Sequence, residues 1–238
     1  MAASKTKKPG NGVKRRRPQQ RALATRDAIL KAALVEFGDR DFAAVSTRSV
    51  AERAKVQHPL LNYHFKNKEG LWRAVLETTA GAFLSQINKR LIALRGIDDV
   101  TKLRMIQEDF VRFAAAHPHY HLLMSREAGT TQHLKWLIKE YVRPYFDVTT
   151  RLIKSAQRSG HYVQGDPKHL QYLFIGAATR IFTLAAEVKI ITRRSPFSRT
   201  MIDDHVQAVL DLFFIDRRER PGQIPVHGRD RTKNSSKR

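Results

Sequence analysis

The stretch Ser46–Leu71, STRSVAERAKVQHPLLNYHFKNKEGL, decides the fold of this chain. It predicts two short helices joined by a tight turn and followed by the capped start of a third helix. Ser46 offers an N-cap hydroxyl to the first helix, whose small apolar face is formed by Val50, Ala51 and Ala54. Pro59 suits the first turn of the second helix, because its missing N–H would be unpaired there anyway. Leu61 and Phe65, four residues apart, anchor that helix to a core.

The pattern of this hairpin fits two interpretations. In the first, it is a helix-turn-helix whose second helix enters the major groove of DNA with a polar outer face. In the second, it is an ordinary corner between two helices. The flanking sequence favours the first, since Thr25–Phe37 (TRDAILKAALVEF) predicts a preceding helix with a core-facing stripe, and Asn67 caps the helix that follows.

Taken together, the span Thr25–Glu77 resembles the N-terminal DNA-binding domain of TetR-family transcriptional regulators. The matching motifs are ILKAALVEF, F-x-x-V-S-T-x-x-V-A, HPLLNYHF and K-N-K-E-x-L-W. The resemblance implies an all-α fold of about nine helices, with a three-helix helix-turn-helix domain followed by a helical domain for ligand binding and dimerisation. Beyond residue 80 the match lies in helix order and not in motif.

The resemblance also implies a set of DNA-facing residues: Thr47, Arg48, His58, Pro59, Leu60, Asn62, Tyr63, His64 and Lys68. Base edges are expected for His58, Leu60 and Asn62, and phosphates for Arg48, Tyr63, His64 and Lys68. The chain departs from the family pattern twice. Lys55 stands where a turn glycine is usual, and Asn62 stands where a tyrosine is frequent.

Charge divides the chain unevenly. Of the net charge of +22, +8 lies in residues 1–21 and +5 in residues 216–238. Both ends are rich in basic and small polar residues, so we predict disordered basic tails there. The first tail could follow phosphates beside an operator or only aid solubility. The predicted domains between the tails are residues 22–75 for DNA binding and residues 76–215 for effector binding and dimerisation.

Composition excludes several classes of function. The chain has no cysteine, so disulfides and thiolate metal sites are impossible. It also lacks a nucleophile motif, a paired-carboxylate pattern and a glycine-rich phosphate loop, so an enzyme is not expected. His117, His119 and His121 alternate around Pro118, but i, i+2 side chains diverge on a helix, so we predict no metal site and no cofactor. No secretory signal or membrane span is recognised, which predicts a cytoplasmic, nucleoid-associated protein.

The C-terminal helices supply candidates for an effector pocket and for a dimer interface. Aromatic and polar residues within helical segments predict either ordinary core or a pocket: Phe110, Phe113, Tyr120, Met124, Arg126, Tyr141, Tyr145, Phe174 and Arg180. The last two predicted helices are apolar on more than one face, which predicts a four-helix interface between two copies: Leu173, Ala177, Ile181, Leu184, Val206, Val209, Leu210 and Phe213.

The function predicted from these observations is a homodimeric transcriptional repressor that binds a palindromic operator and is released by a small apolar or amphipathic effector. Two rivals stay open. One is an activator, or a nucleoid-type protein that tolerates many DNA sequences and has no effector. The other is an interaction protein that uses its helical domain for a different partner.

Overall fold

The structure is a computed structural model, and it describes residues 12–127 and 131–215. Residues 1–11 of the first predicted tail and the whole of the second, residues 216–238, lie outside the described residues. Within them the protein is helical and contains no β-strand, only one isolated bridge between Tyr162 and Phe214. The prediction of an all-α fold is confirmed.

Four helices form the N-terminal part: α1 (Gly12–Asp39), α2 (Thr47–Ala54), α3 (His58–Phe65) and α4 (Lys68–Leu76). A short 3₁₀ helix, Phe42–Ala44, connects α1 to α2. A π-helical turn, Glu77–Gly81, then leads from α4 into α5 (Ala82–Ala93). The remaining helices are α6 (Asp99–Ala116), α7 (Pro118–Glu127), α8 (Thr131–Leu137), α9 (Arg143–Arg158), α10 (Pro167–Thr183), α11 (Ala185–Thr192) and α12 (Arg199–Phe213).

Irregular turns interrupt the longer helical stretches. Helices α4 and α5 are joined through a π-turn, and α8 and α9 are joined by the π-turn Ile138–Val142. Pro144 lies in the first turn of α9, directly after this second π-turn, where its missing N–H costs little. Helices α10 and α11 are separated by a break at Leu184.

The start of α1 corrects one prediction. The helix begins at Gly12 and not at Thr25, so residues 12–21 are helical where a disordered tail was expected. Four arginines and two glutamines lie in this stretch, and the favourable helix propensities of these residues help to extend a helix that tertiary contacts have already nucleated.

Local signals set the other helix ends. Side chains of Ser46, Asn67, Asp98, Asp166 and Ser198 each accept a backbone N–H at the start of their helix. Lys55 ends α2 in the left-handed region at φ 56° and ψ 40°. The departure from the usual turn glycine therefore places a lysine in a conformation that costs free energy.

Two hydrophobic clusters hold the protein together, and they do not divide at the predicted boundary near residue 75. One surrounds the hairpin of α2 and α3 and also includes Tyr120, Leu123 and Leu137 from helices α7 and α8. The other joins α5, α6, α9, α10 and α12. The helices of the DNA-binding end therefore share a core with α7 and α8.

Four of the eight residues predicted for the dimer interface are covered within the protomer itself. Val206, Val209, Leu210 and Phe213 of α12 are buried in the protomer's own core, each 6% exposed or less. The face of α12 that carries them packs on α6 and α10, so it is not available to a second copy. Leu173 of α10, in contrast, is 56% exposed.

Across the described ranges, no helix is both long enough and apolar enough to cross a membrane.

Candidate DNA-binding surface and ligand cavity

Helix α3 presents one face to solvent and one to the core. Leu61 and Phe65 are 0% and 5% exposed and hold the helix against α1, α2 and α4. Most of the predicted DNA-facing residues lie on the opposite side: Arg48, Pro59, Leu60, Asn62 and Tyr63 are exposed, and Tyr63 is 82% exposed. Thr47, His58, His64 and Lys68 are only partly exposed.

His58 and Thr47 connect the two helices of the hairpin. The Thr47 hydroxyl oxygen lies 2.9 Å from His58 Nε2. This bond joins the first residue of α2 to the first residue of α3, so it fixes the angle at which α3 leaves the hairpin. One imidazole nitrogen of His58 is therefore occupied, and only its other nitrogen remains for a base edge.

Lys68 has a different role from the one predicted. Its ammonium group donates to the carbonyl oxygens of Phe42 at 2.8 Å and Val45 at 3.0 Å. It also lies 4.5 Å from the centre of the Phe42 ring, close enough for a cation–π interaction. These contacts tie the start of α4 to the loop before α2. In the free protein, Lys68 therefore stabilises this loop. The sequence had predicted a phosphate contact for it instead.

Glu36 fastens α1 to α2. Its carboxylate is 2.6 Å from Arg53 Nε and accepts a hydrogen bond from the Ser49 hydroxyl at 3.2 Å, and Arg40 lies 3.7 Å away. Burial alone would raise the pKa of Glu36, but the hydrogen bond and charge of Arg53, assisted by Arg40 and Ser49, lower it below its ordinary value of 4.5. Glu36 is therefore a carboxylate at neutral pH.

A cavity of about 120 Å³ lies within the C-terminal helices, between α5, α6, α7, α9 and α10. Six of the nine predicted pocket residues line it: Phe110, Phe113, Tyr120, Met124, Tyr141 and Tyr145. Sequence reasoning missed the others, namely Ala80, Phe83, Leu84, His121, Val142, Phe146 and Ile175. Helical spacing places Phe83 and Phe146 on apolar stripes, but nothing in the spacing distinguishes a cavity wall from a filled core.

Three predicted pocket residues do not line this cavity. Phe174 is fully buried and packs against Phe110 and Phe213, with ring centres 5.5 and 5.9 Å away. Arg180 is exposed on α10. Arg126 reaches out of α7 and donates from Nε to the carbonyl oxygen of Gly38 at 3.0 Å. Both arginines lie on outer helix faces, because there their guanidinium groups can hydrogen-bond to water or to backbone oxygens.

The cavity wall is aromatic and carries few polar atoms. Phe83 stacks on Phe113 with ring centres 4.3 Å apart, and Phe110 stacks on Tyr145 at 5.3 Å. Burial, together with the neighbouring His117, lowers the pKa of His121 to about 3, so this imidazole is neutral at physiological pH. Burial also raises the pKa of Tyr145 far above its usual range.

Helix α7 lies between the cavity and the DNA-binding end. Tyr120, His121 and Met124 face the cavity, while His119 and Arg126 face α1. The approach of α7 to α1 is close: a Cβ added to Gly38 would stand 2.7 Å from the His119 carbonyl oxygen. The backbones of α7 and α1 are therefore in direct van der Waals contact at this point.

Helix α8 makes a second connection between the two parts. His133 Nε2 lies 2.8 Å from the Glu69 carboxylate of α4. The same imidazole stacks on Trp72, with ring centres 4.6 Å apart. The first turns of α4, which directly follows α3, are thus in contact with α8 of the C-terminal part.

The three histidines around Pro118 have separate environments. His117 packs against the Phe113 ring at 4.9 Å, His119 lies 3.6 Å from the Asp39 carboxylate, and His121 faces the cavity. The three rings thus contact different neighbours, as expected for side chains two residues apart at a helix start.

The N-terminal region is similar in sequence to known transcriptional regulators. Residues 29–75 match the family model described as bacterial regulatory proteins, tetR family. The class C tetracycline repressor protein of Escherichia coli is 40% identical over 74 residues, which cover 31% of this chain and 32% of the repressor. The match thus spans about a third of that relative's length. The transcriptional regulator RutR of Escherichia coli K12 is 25% identical over 173 residues, covering 71% of this chain and 79% of RutR.

The fold as a whole also has a solved counterpart. The structure of AibR in complex with isovaleryl coenzyme A and operator DNA superimposes with a TM-score of 0.59 at 18% sequence identity. The superposition covers 80% of this chain and 98% of AibR. At this level of identity the likeness establishes the shared fold.

Proposed function

This chain is a TetR-family transcriptional regulator, and from that premise we propose that it is a ligand-responsive repressor that binds a palindromic operator as a homodimer. One observation carries the proposal: helix α7 contributes both to the wall of the cavity and to the packing surface of α1. In this proposal the cavity takes the small molecule, and α7 connects the cavity to α1 and the DNA-binding helices.

The DNA-binding half of the proposal rests on α3. In a two-fold dimer the two copies of this helix would enter successive major grooves about 34–36 Å apart. Asn62 is exposed at the middle of the helix and can pair bidentately with an adenine, and Leu60 can contact a thymine methyl group. Arg48 and Tyr63, at the sides of the hairpin, suit phosphate oxygens.

The effector half of the proposal rests on a shift of population. A ligand in the cavity pushes on Tyr120, His121 and Met124, and the rigid α7 carries that displacement to Gly38 on α1. If the ligand binds more tightly to the displaced arrangement, it favours dimers whose two α3 helices no longer match the operator. AibR, with the same fold, is known in a complex containing both an acyl-coenzyme A and operator DNA, which supports a ligand-responsive mechanism here.

The deciding experiment is a genome-wide footprint of the full-length protein, followed by gel-shift titration on the recovered site. A regulator protects a discrete palindrome, with affinity at least about a thousandfold above random duplex at the same salt concentration. Protection without sequence preference would instead support the nucleoid-type alternative. Transcription from the recovered promoter, measured with and without the protein, separates a repressor from an activator.

Such a protein acts where its operator is, so we also propose that it works in the cytoplasm in association with the nucleoid. The net charge of +22 favours association with DNA in general. Operator specificity then depends on the few base contacts of α3 and not on this charge.

A further inference from the structure

The wall of the cavity combines an apolar surface with a small number of unpaired polar atoms. Among the described residues that line it, no side chain is aspartate, glutamate, lysine or arginine. The polar side chains of the wall are one histidine and three tyrosines: His121, Tyr120, Tyr141 and Tyr145. Polar contacts with a ligand must therefore come from neutral side chains.

Two of these groups are buried without a partner. His121 is 8% exposed, and its Nε2 finds no hydrogen-bond partner in the part of the chain that the structure describes. The Tyr145 hydroxyl likewise lacks a well-formed hydrogen bond, although the neighbouring Gln171 amide is close enough to influence its pKa as a weak partner. A buried polar group that loses water without gaining a partner costs free energy, so each such group in a folded protein requires an explanation.

The two groups are close neighbours across one ring. The centre of the Phe110 ring is 5.6 Å from the imidazole of His121 and 5.3 Å from the ring of Tyr145. Gln171 stands one helical turn before Ile175, a wall residue of α10, and both of its amide atoms are also unpaired within the described residues. His121 and Tyr145 thus both contact the same wall residue, Phe110.

We propose that the cavity binds a neutral, single-ring aromatic compound whose hydroxyl or carbonyl oxygen hydrogen-bonds to His121 Nε2 and the Tyr145 hydroxyl. This inference rests on the proposed function and names the class of its effector. The volume of about 120 Å³ is near that of an engineered apolar cavity that holds benzene, which sets the size at one ring. The wall rings favour a flat ligand through offset stacking and edge contacts.

The same wall disfavours an anion. A carboxylate buried here would lose its hydration without a cation to replace it, which is the most costly form of burial. His121 cannot supply the charge, because its lowered pKa keeps the imidazole neutral. A neutral imidazole can donate or accept one hydrogen bond, and so can a tyrosine hydroxyl, which suits a phenol, a benzylic alcohol or an aryl ketone.

Calorimetric titration of the full-length protein with toluene, p-cresol and benzoate tests the inference. Toluene and p-cresol differ by one hydroxyl, and benzoate adds the charge. Each ligand is titrated into the wild-type protein and into Tyr145→Phe and His121→Leu. Tyr162→Phe is the matched control, because it also removes a buried tyrosine hydroxyl, one that is bonded to Gln107 and does not line the cavity. Thermal unfolding of every variant verifies that it is folded.

We expect Tyr145→Phe and His121→Leu each to weaken p-cresol binding about fivefold, the loss of one neutral hydrogen bond. Their affinity for toluene should stay within about twofold, and Tyr162→Phe should change neither ligand. Equal effects on toluene and p-cresol would overturn the inference, as would tighter binding of benzoate than of p-cresol by the wild-type protein. If His121→Leu does not fold, the Tyr145→Phe variant alone tests the inference, since this substitution keeps the aromatic ring and removes only the hydroxyl.

Failure of the inference is distinguishable from failure of the proposed function. A wild-type protein that binds none of the three compounds, but whose operator footprint is released by a different metabolite, refutes the ligand class and retains the regulator. A protein that binds p-cresol as expected but shows no discrete operator retains the ligand class and refutes the regulator.

Discussion

Lys55 shows how a single residue records a conflict between sequence and fold. It ends α2 at φ 56°, where the Cβ of a lysine crowds the following carbonyl group and a glycine does not. The position could be recognised from the sequence alone, because the turn between two such helices generally requires a left-handed residue. The exposed side chain of Lys55 gives no contact in return among the described residues.

Lys55→Gly is therefore expected to stabilise the protein by up to about 1 kcal/mol, the relief of left-handed strain less the entropy that glycine adds to the unfolded chain. Urea denaturation measures the change. Lys55→Ala is the control, because it removes the side chain but keeps the Cβ, and it should not stabilise. An equal gain for both variants would trace the effect to the lysine's charge.

Asn62 and Lys68 were predicted together as DNA contacts, but the structure separates them. Asn62 is exposed and free to meet a base, whereas Lys68 is bonded to three backbone carbonyls. The sequence could place both residues on one side of the hairpin, but it could not show that the loop Phe42–Val45 returns beneath the ammonium group. That contact depends on a loop conformation and not on helical spacing.

Substitutions of the two residues should thus affect different quantities, DNA affinity for Asn62 and stability for Lys68. Asn62→Ala is expected to cost about 1–3 kcal/mol of binding free energy on the operator and little on random duplex. Lys68→Met should lower the free energy of unfolding by about 1 kcal/mol, because buried carbonyls lose their donor. Lys31→Met, an exposed lysine of α1, is the control. A loss of salt dependence in Lys68→Met without a loss of stability would restore Lys68 as a phosphate contact.

At the scale of elements, the junction of α1 with α2 depends on a charge. The pKa of Glu36 is lowered in the folded protein, so the carboxylate contributes stability at pH values above its unfolded pKa near 4.5. This stability is lost as the pH falls through the lower folded pKa. The free energy of unfolding of the wild-type protein should therefore decrease on acidification from about pH 5 to pH 3.

Glu36→Gln tests this dependence in denaturant titrations across the same pH range. The variant should be less stable than the wild type at pH 7, because Arg53 and Arg40 lose a partner, and the difference should shrink in acid. Glu52→Gln, at an exposed position of α2, serves as the control and should follow the wild-type curve. A constant difference between Glu36→Gln and wild type at all pH values would contradict the argument.

The contact of α7 with α1 is the element-scale feature on which the proposed regulation rests. Gly38 meets His119 so closely that any Cβ would overlap both the carbonyl oxygen at 2.7 Å and the side-chain Cβ at 2.8 Å. Sequence patterns marked Gly38 only as the residue after a helical stripe. They could not indicate its neighbour, since Gly38 and His119 are 81 positions apart and meet only through the tertiary fold.

Gly38→Ala should separate α7 from α1 and destabilise the protein by about 1–3 kcal/mol, as overpacking does. It should also change the ratio of operator affinities measured with and without effector, because the transmitted displacement passes through this contact. Gly81→Ala is the control, since its added methyl group would stand at an ordinary 3.6 Å from the Tyr141 ring. An unchanged affinity ratio in a destabilised Gly38→Ala variant would move the coupling to α8 and α4.

At the scale of the whole molecule, the remaining apolar surface is the best candidate for the interface of the proposed homodimer. Six exposed large apolar side chains lie on α10, α11, α12 and the loop between the last two: Tyr172, Leu173, Ile190, Ile191, Phe197 and Leu212. A concentration of this kind favours an interface over solvent. The sequence pointed to the same helices, because they are apolar on more than one face. It could not tell which face the protomer itself covers, since that depends on how α6 and α10 pack against α12.

If the exposed apolar residues form the interface, two double variants should give opposite outcomes. Leu173→Asp with Leu212→Asp places two charges on exposed positions, so the protomer should remain folded and sediment as a monomer with weak operator binding. Val206→Asp with Val209→Asp buries two unpaired carboxylates in the protomer core, so it should abolish folding. Sedimentation and circular dichroism on the same samples separate dissociation from unfolding. A Leu173→Asp, Leu212→Asp protein that stays dimeric and retains operator affinity would place the two-fold interface on another surface.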